Sequence, residues 1–180
     1  MRHFAVSAIG RDMPGIVAAV SKALLDHGGN LEDSQMTILR GHFTMMLVVS
    51  APPETDPAAL REALDDVGDR LGLEAISLSE VTEISPDAEA VPTHIVSVYG
   101  ADHPGIVHAV SSALAERRIS ITDLTTQLAG ERTGQPLYAM MLEIALPEGA
   151  DVAELEQDLA AVASGQSVDV SIRPLEQDTL

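Results

Sequence analysis

Asp12 and Asp102 are the acidic residues of one eight-residue phrase written twice, "GRDMPGIV" over Gly10–Val17 and "GADHPGIV" over Gly100–Val107. In each copy a proline and a glycine, Pro14 and Gly15 or Pro104 and Gly105, stand between the acid and an apolar run that opens a helical pattern. Proline pre-sets the backbone of a first helical turn, and glycine leaves the main chain open to close approach. The first N–H groups of a helix have no partner within it, and the helix dipole behind them favours a negative charge. Gly15 with Ile16, and Gly105 with Ile106, are therefore the candidate cradles for a carboxylate. Asp12 and Asp102 beside them would hold an ammonium group, so a zwitterionic amino acid would find both its charges met. The plainer alternative is that each Asp caps its helix and Pro-Gly only shapes the turn.

Two positions distinguish the copies. Asn30, followed by Leu31, would add a side-chain amide to the first site, whereas Ser120 stands there in the second. A hydroxyl is shorter than an amide, so the second site is expected to be weaker or silent. His103 replaces Met13 next to the acid, where an imidazole reads ligand shape or pH, or is simply solvated.

Other chemistries are poorly served. The chain has no cysteine, so it has neither a disulfide nor a thiolate nucleophile, and any zinc would need histidines and carboxylates. The histidines show no ligand spacing: His103 and His108, five apart, do not share a helix face. No nucleophile elbow, P-loop or dinucleotide fingerprint is present. An acylphosphatase-like phosphate loop would need an arginine after the first strand, and Arg11 is answered by Ala101 in the other copy. The expectation is no enzyme, no metal and no cofactor. With 28 acids against 10 bases and a net charge of −18, the chain lacks the Lys and Arg that displace phosphate counterions, so direct nucleic-acid binding is not expected. Apolar runs such as Met45–Val49 are too short to span a membrane, and a cytoplasmic location is expected.

The elements that must position the two phrases repeat with them. At an offset of 90, Pro14, Gly15, Ile16, Val17, Ala19, Val20, Ser21, Ala23, Leu24 and Asp33 all meet an identical residue. Further on, Met45–Leu47 recurs at Met140–Leu142, so the second copy carries a longer loop in "AGERTGQP", Ala129 to Pro136. In the first copy a strand over "HFAVSAI" leads to a helix from Pro14, with Val17, Val20 and Leu24 at helical spacing and a stop at His27–Gly29. A hairpin around Gly41 follows, then a helix opened by Asp56 and Pro57 with Leu60, Leu64, Val67 and Leu71 on one face, then a strand near Leu73–Thr82. The second copy has a strand at Thr93–Tyr99, a helix from Pro104, strands near Ile119–Leu128 and Leu137–Leu146, a helix from Asp151 and a strand near Val168–Arg173. The pattern is βαββαβ twice: α+β, ferredoxin-like, each antiparallel sheet carrying its helices on one face. The units are placed at 1–84 and 93–180, with a linker over 85–92 in the proline- and acid-rich "ISPDAEAVP".

Strand, acid-x-Pro-Gly loop, helix, then Asn30–Leu31 opening a second strand: this order resembles the ACT domain, twice, over nearly the whole chain. Tandem chains of this length resemble the group that includes the glycine-cleavage-system transcriptional repressor, and the first repeat is similar to the N-terminal ACT domains of formyltetrahydrofolate deformylases. The resemblance implies a ligand touched by the residue at the Asp12 position and by the Asn that opens the second strand, usually across an interface between two domains. It implies a non-catalytic regulator that senses an amino acid such as glycine or serine and modulates a partner protein, with the sheets joined within one chain or across a homodimer. Two alternatives stay open, an interaction adaptor with vestigial pockets and a detached regulatory subunit of an enzyme.

Overall fold

A computed structural model describes residues 1–81, 90–129 and 137–175. The chain divides into two units, Met1–Pro86 and Asp87–Leu180. Most of the linker expected over 85–92, and the loop insertion beyond Ala129, lie outside the described residues.

In the first unit β1 (Arg2–Arg11), α1 (Ile16–Asp26), β2 (Asn30–Leu39), β3 (His42–Ala51), α2 (Pro57–Leu71) and β4 (Ala75–Val81) follow in order. The antiparallel sheet runs β2-β3-β1-β4. Alternation along the strands sets the layers: Phe4, Val6 and Ala8 of β1, with Phe43, Met45, Leu47 and Val49 of β3, point to one face and are buried. They form a single core with Ile16, Val20 and Leu24 of α1 and Leu60, Leu64 and Val67 of α2, so both helices cover that same face. Ile16 rather than Val17 starts the buried stripe of α1: Ile16, Val20, Ala23 and Leu24 repeat at helical spacing, while Val17 is 48% exposed.

Local chemistry explains the boundaries. Asp56 caps α2 by accepting from the Ala58 N–H at 2.9 Å, with Pro57 in the first turn, and Gly72 ends it in the left-handed conformation. Arg40 and Gly41, both with positive φ, make the two-residue turn between β2 and β3. In β2 the register against β3 shifts between Leu31 and Asp33, a bulge that lets one extra residue, Glu32, bend the edge strand.

The second unit repeats the plan with β5 (His94–Ala101), α3 (Ile106–Glu116), β6 (Ser120–Ala129), β7 (Leu137–Ala145), α4 (Val152–Gln166) and β8 (Val168–Pro174), in a sheet ordered β6-β7-β5-β8. Its core gathers Val96, Val98, Met140, Leu142 and Ile144 from the strands with Val110, Leu114, Leu155 and Leu159 from the helices. Asp151 caps α4 through the N–H groups of Ala153 and Glu154, and the bulge recurs between Ile121 and Asp123. The duplication seen in the sequence is thus a duplication of packing.

Candidate functional site

Each phrase folds as a short loop between the central strand and the first helix of its unit. Gly10 and Gly100 end the strands against a neighbouring chain segment: a Cβ on Gly10 would lie 3.1 Å from the Leu73 Cα, and one on Gly100 would lie 2.7 Å from a Val168 methyl. Glycine is required there because the loop leaves the sheet where the next strand arrives. The first loop is then held at its start by the Asp12 N–H, which donates to the Gly41 carbonyl at 3.0 Å.

Gly15 and Gly105 are the N-caps of α1 and α3, with φ of 101° and 104°, conformations that L side chains rarely adopt. Neither N-cap offers a side-chain bond, and neither helix has an acid in its first turn. The other two helices are capped by Asp56 and Asp151. Asp12 and Asp102 therefore do not cap their helices, while the positive-φ glycines do shape the two turns. Both residues are exposed and stand three positions before the N-cap glycine, at the positive end of the helix dipole. Nothing lies within 4 Å of the place a Cβ on Gly15 would occupy. The arrangement can receive a carboxylate on the helix amides and an ammonium on the acid.

The expected site residues separate into two groups. Asp12, Met13, Pro14 and Gly15 sit together, exposed, whereas the Ile16 side chain is buried at 1% exposure, so only its backbone is available. Asn30 and Leu31 are elsewhere. Asn30 pairs with Ser50, which pairs with His3, while the loop follows Arg11, eight rungs along the same strand and roughly 26 Å away. Within its own unit Asn30 takes no part in the loop site, because β2 starts at the end of the sheet that α1 has just run down to. The same holds for Ser120, which pairs with Ala145 at the far end from Asp102. Asp33 and Asp123 lie beside the bulges, where Asp33 accepts from the Ser34 N–H at 2.7 Å and Asp123 from the Thr125 hydroxyl at 3.3 Å, and they do not support the loops.

In the second unit Asp102, His103, Pro104, Gly105, Ile106, Val107, His108 and Tyr138 line a cavity of about 590 Å³. His103 is half-buried and tied down: Nδ1 lies 3.0 Å from the Pro104 carbonyl and Nε2 lies 2.6 Å from the Gln166 carbonyl at the end of α4. Those two carbonyls, Pro104 first and Gln166 next, hold its pKa above the usual imidazole value, with a smaller contribution from Asp102. Burial, with Asp102 nearby, pushes the Tyr138 phenol up. Tyr138 and Gln166 were not legible as site residues. The available signal for the first was that Tyr138 answers Phe43 at the offset of 95, a hydroxyl added to a buried ring.

Among the described residues no group of three or more His, Asp or Glu side chains is placed to hold a metal ion, and no helix is long and apolar enough to cross a membrane.

Residues 2–76 and 93–173 each match the sequence profile of the ACT domain. A UPF0237 protein of Methanopyrus kandleri is 39% identical over 77 residues, which cover 42% of this chain and 86% of that protein. A phosphoserine phosphatase of Mycobacterium tuberculosis is 28% identical over 171 residues, 93% of this chain and only 39% of the phosphatase. Among solved structures, an unknown protein from Galdieria sulphuraria superposes with a TM-score of 0.77 at 28% identity, covering 97% of this chain and 98% of that one. A protein provisionally named a glycine cleavage system transcriptional repressor superposes with a TM-score of 0.70 at 20% identity, covering 97% of each chain, which is a likeness of fold.

Proposed function

The chain belongs to the ACT-domain family, and on that premise we propose that it is a non-catalytic regulatory protein that binds a free amino acid at its strand-to-helix loops and passes the binding on to a partner protein. One observation carries the reading. Among the described residues, two helices of four begin on a positive-φ glycine with no side-chain cap and an aspartate three positions before it that makes no side-chain hydrogen bond to another described residue, while the other two are capped by their own aspartates. A helix start capped by glycine forgoes only a few tenths of a kcal/mol against an Asp cap, but it leaves its first amides without a side-chain acceptor, which is a reason to look for a ligand that supplies one. The match to a phosphoserine phosphatase along most of the chain supports serine, with the smaller glycine, as the first effectors to try.

A thermal-shift screen of the purified chain against the common amino acids tests this, with Asp12→Ala and Asp102→Ala alongside. A ligand at about 100 times its dissociation constant adds roughly 2.7 kcal/mol, a rise of several degrees for units of this size. The reading fails if no amino acid raises the Tm, or if the rise survives both substitutions together.

A second reading, that of an interaction adaptor, is supported by β2. All ten residues of this edge strand are exposed, including Leu31, Met36 and Ile38 on the side of the sheet that the helices cover elsewhere. Such an edge offers unpaired backbone groups and apolar side chains to an added strand.

A further inference from the structure

Among the described residues the second loop has a tie that the first does not. The first is tied to the β2–β3 turn by a backbone bond from Asp12, with Met13 41% exposed beside it. In the second, the residue at Met13's place is His103, and its ring bridges the loop to a segment 63 residues away. Both of its nitrogens face carbonyl oxygens, at 3.0 Å for Pro104 and 2.6 Å for Gln166. A carbonyl only accepts, and a neutral imidazole has a single N–H. The neutral ring can satisfy one of these contacts and must turn a lone pair toward the other oxygen, whereas the imidazolium donates to both.

We infer that protonated His103 latches the β5–α3 loop onto the end of α4 and so places the second unit's site under the control of pH. Gln166 is the last residue of α4, where the helix leaves carbonyls without internal partners and the dipole favours a cation. The last turn of α4 contains no basic residue to compete for that end. Among the described residues the groups around the latch are these: Asp102 on the same loop attracts the cation, His108 from α3 and the Tyr138 phenol from β7 line the same cavity, and β8 begins with the apolar Val168. The latch also bears on Gly105, because the Gln166 side-chain oxygen would come 3.5 Å from a Cβ at that position. Closing it fixes the Asp102–Gly105 backbone against α4 and adds a positive charge beside the amides proposed to take a carboxylate. The fixed backbone pre-organises the amides, and the charge favours the carboxylate while opposing the ammonium on Asp102; pre-organisation carries the net effect, so binding in the second unit tightens as the pH falls, and by linkage a bound ligand makes His103 harder to deprotonate.

Control of the site rests on the amino-acid reading above; the latch itself does not, and the two are measured separately. The histidine ring signals of the full chain are followed by NMR from pH about 5 to about 9, with His103 assigned by its loss in His103→Met, the residue that the first unit tolerates at this place. The midpoint for His103 is expected above the ordinary value of about 6.5. Since the folded-state value is the higher one, the stabilisation is complete below the unfolded value and disappears as the pH climbs through the folded one. The Tm advantage of wild type over His103→Met should therefore shrink from pH about 5.5 to about 8.5, and His103→Gln, which keeps one neutral donor, should show no such slope. A midpoint at or below the ordinary value overturns the latch whether or not an amino acid binds. With the first loop silenced by Asp12→Ala, glycine and serine are then titrated at both ends of the pH range. A several-fold weaker affinity at the alkaline end, absent in His103→Met, supports control of the site. A pH-independent affinity overturns that control, and binding at neither pH overturns it together with the amino-acid reading.

Discussion

Replacing Gly15 by alanine probes both the backbone and the site in one change. The φ of 101° at this N-cap lies in the region where a Cβ crowds its own chain, which costs about 1–2 kcal/mol for an L residue, while nothing within 4 Å would collide with the new methyl. The expected destabilisation is therefore backbone strain alone, and for a unit of this size it lowers the Tm of the first unit by roughly 4–8 °C per kcal/mol. Gly165→Ala is the opposing control. Gly165 lies within α4 with nothing within 4 Å of a Cβ, so alanine there reduces the entropy of the unfolded chain and should stabilise by about 0.5 to 1 kcal/mol. Urea unfolding of the two variants should give shifts of opposite sign. A neutral or stabilising Gly15→Ala would refute the positive-φ cap. If Gly15→Ala destabilises as expected but an amino acid still raises its Tm as much as in wild type, then the open space over α1 is not where the ligand approaches.

Three further outcomes follow from the packing. Leu60→Ala and Leu159→Ala, at 0% and 2% exposure, each remove a side chain from a different core and should cost about 2–5 kcal/mol, visible in calorimetry as a lowered Tm. Asp56→Ala and Asp151→Ala remove observed caps and should cost about 1 kcal/mol each in urea unfolding, with Asp12→Ala costing less than either because Asp12 caps nothing. Gly100→Ala should be worse than Gly165→Ala by well over about 1 kcal/mol, since its methyl would sit 3.1 Å from the Val168 Cα and backbone must move to admit it; equal denaturation midpoints would sink that account.

The two loops show how sequence and structure divide the site between them. Asp12, Pro14 and Gly15 are readable because their roles are local: a proline presets a turn, a glycine permits a φ, and an acid beside a helix start is a matter of adjacent residues. Asn30 could not be placed in this way. Its position relative to the loop depends on which end of the sheet β2 enters, and the answer, the far end, comes from the length and direction of α1 and the pairing of Asn30 with Ser50. The first residue of α1's buried stripe is Ile16 rather than the expected Val17 for the same kind of reason, while Val20 and Leu24 are buried as expected; Ile16 and Val17 are both β-branched aliphatics, and only packing against the sheet selects between them.

The duplication, the order of elements in each copy, the cap at Asp56 and the lack of thiols are readable from the amino acids alone, because each depends on periodicity, adjacent residues or composition. The tertiary structure decided that Asp12 and Asp102 leave their helices uncapped, that Asn30 and Ser120 stand a sheet's length from their own loops, and that His103 reaches Gln166. Each of those depends on contacts between residues far apart along the chain, which no local pattern encodes.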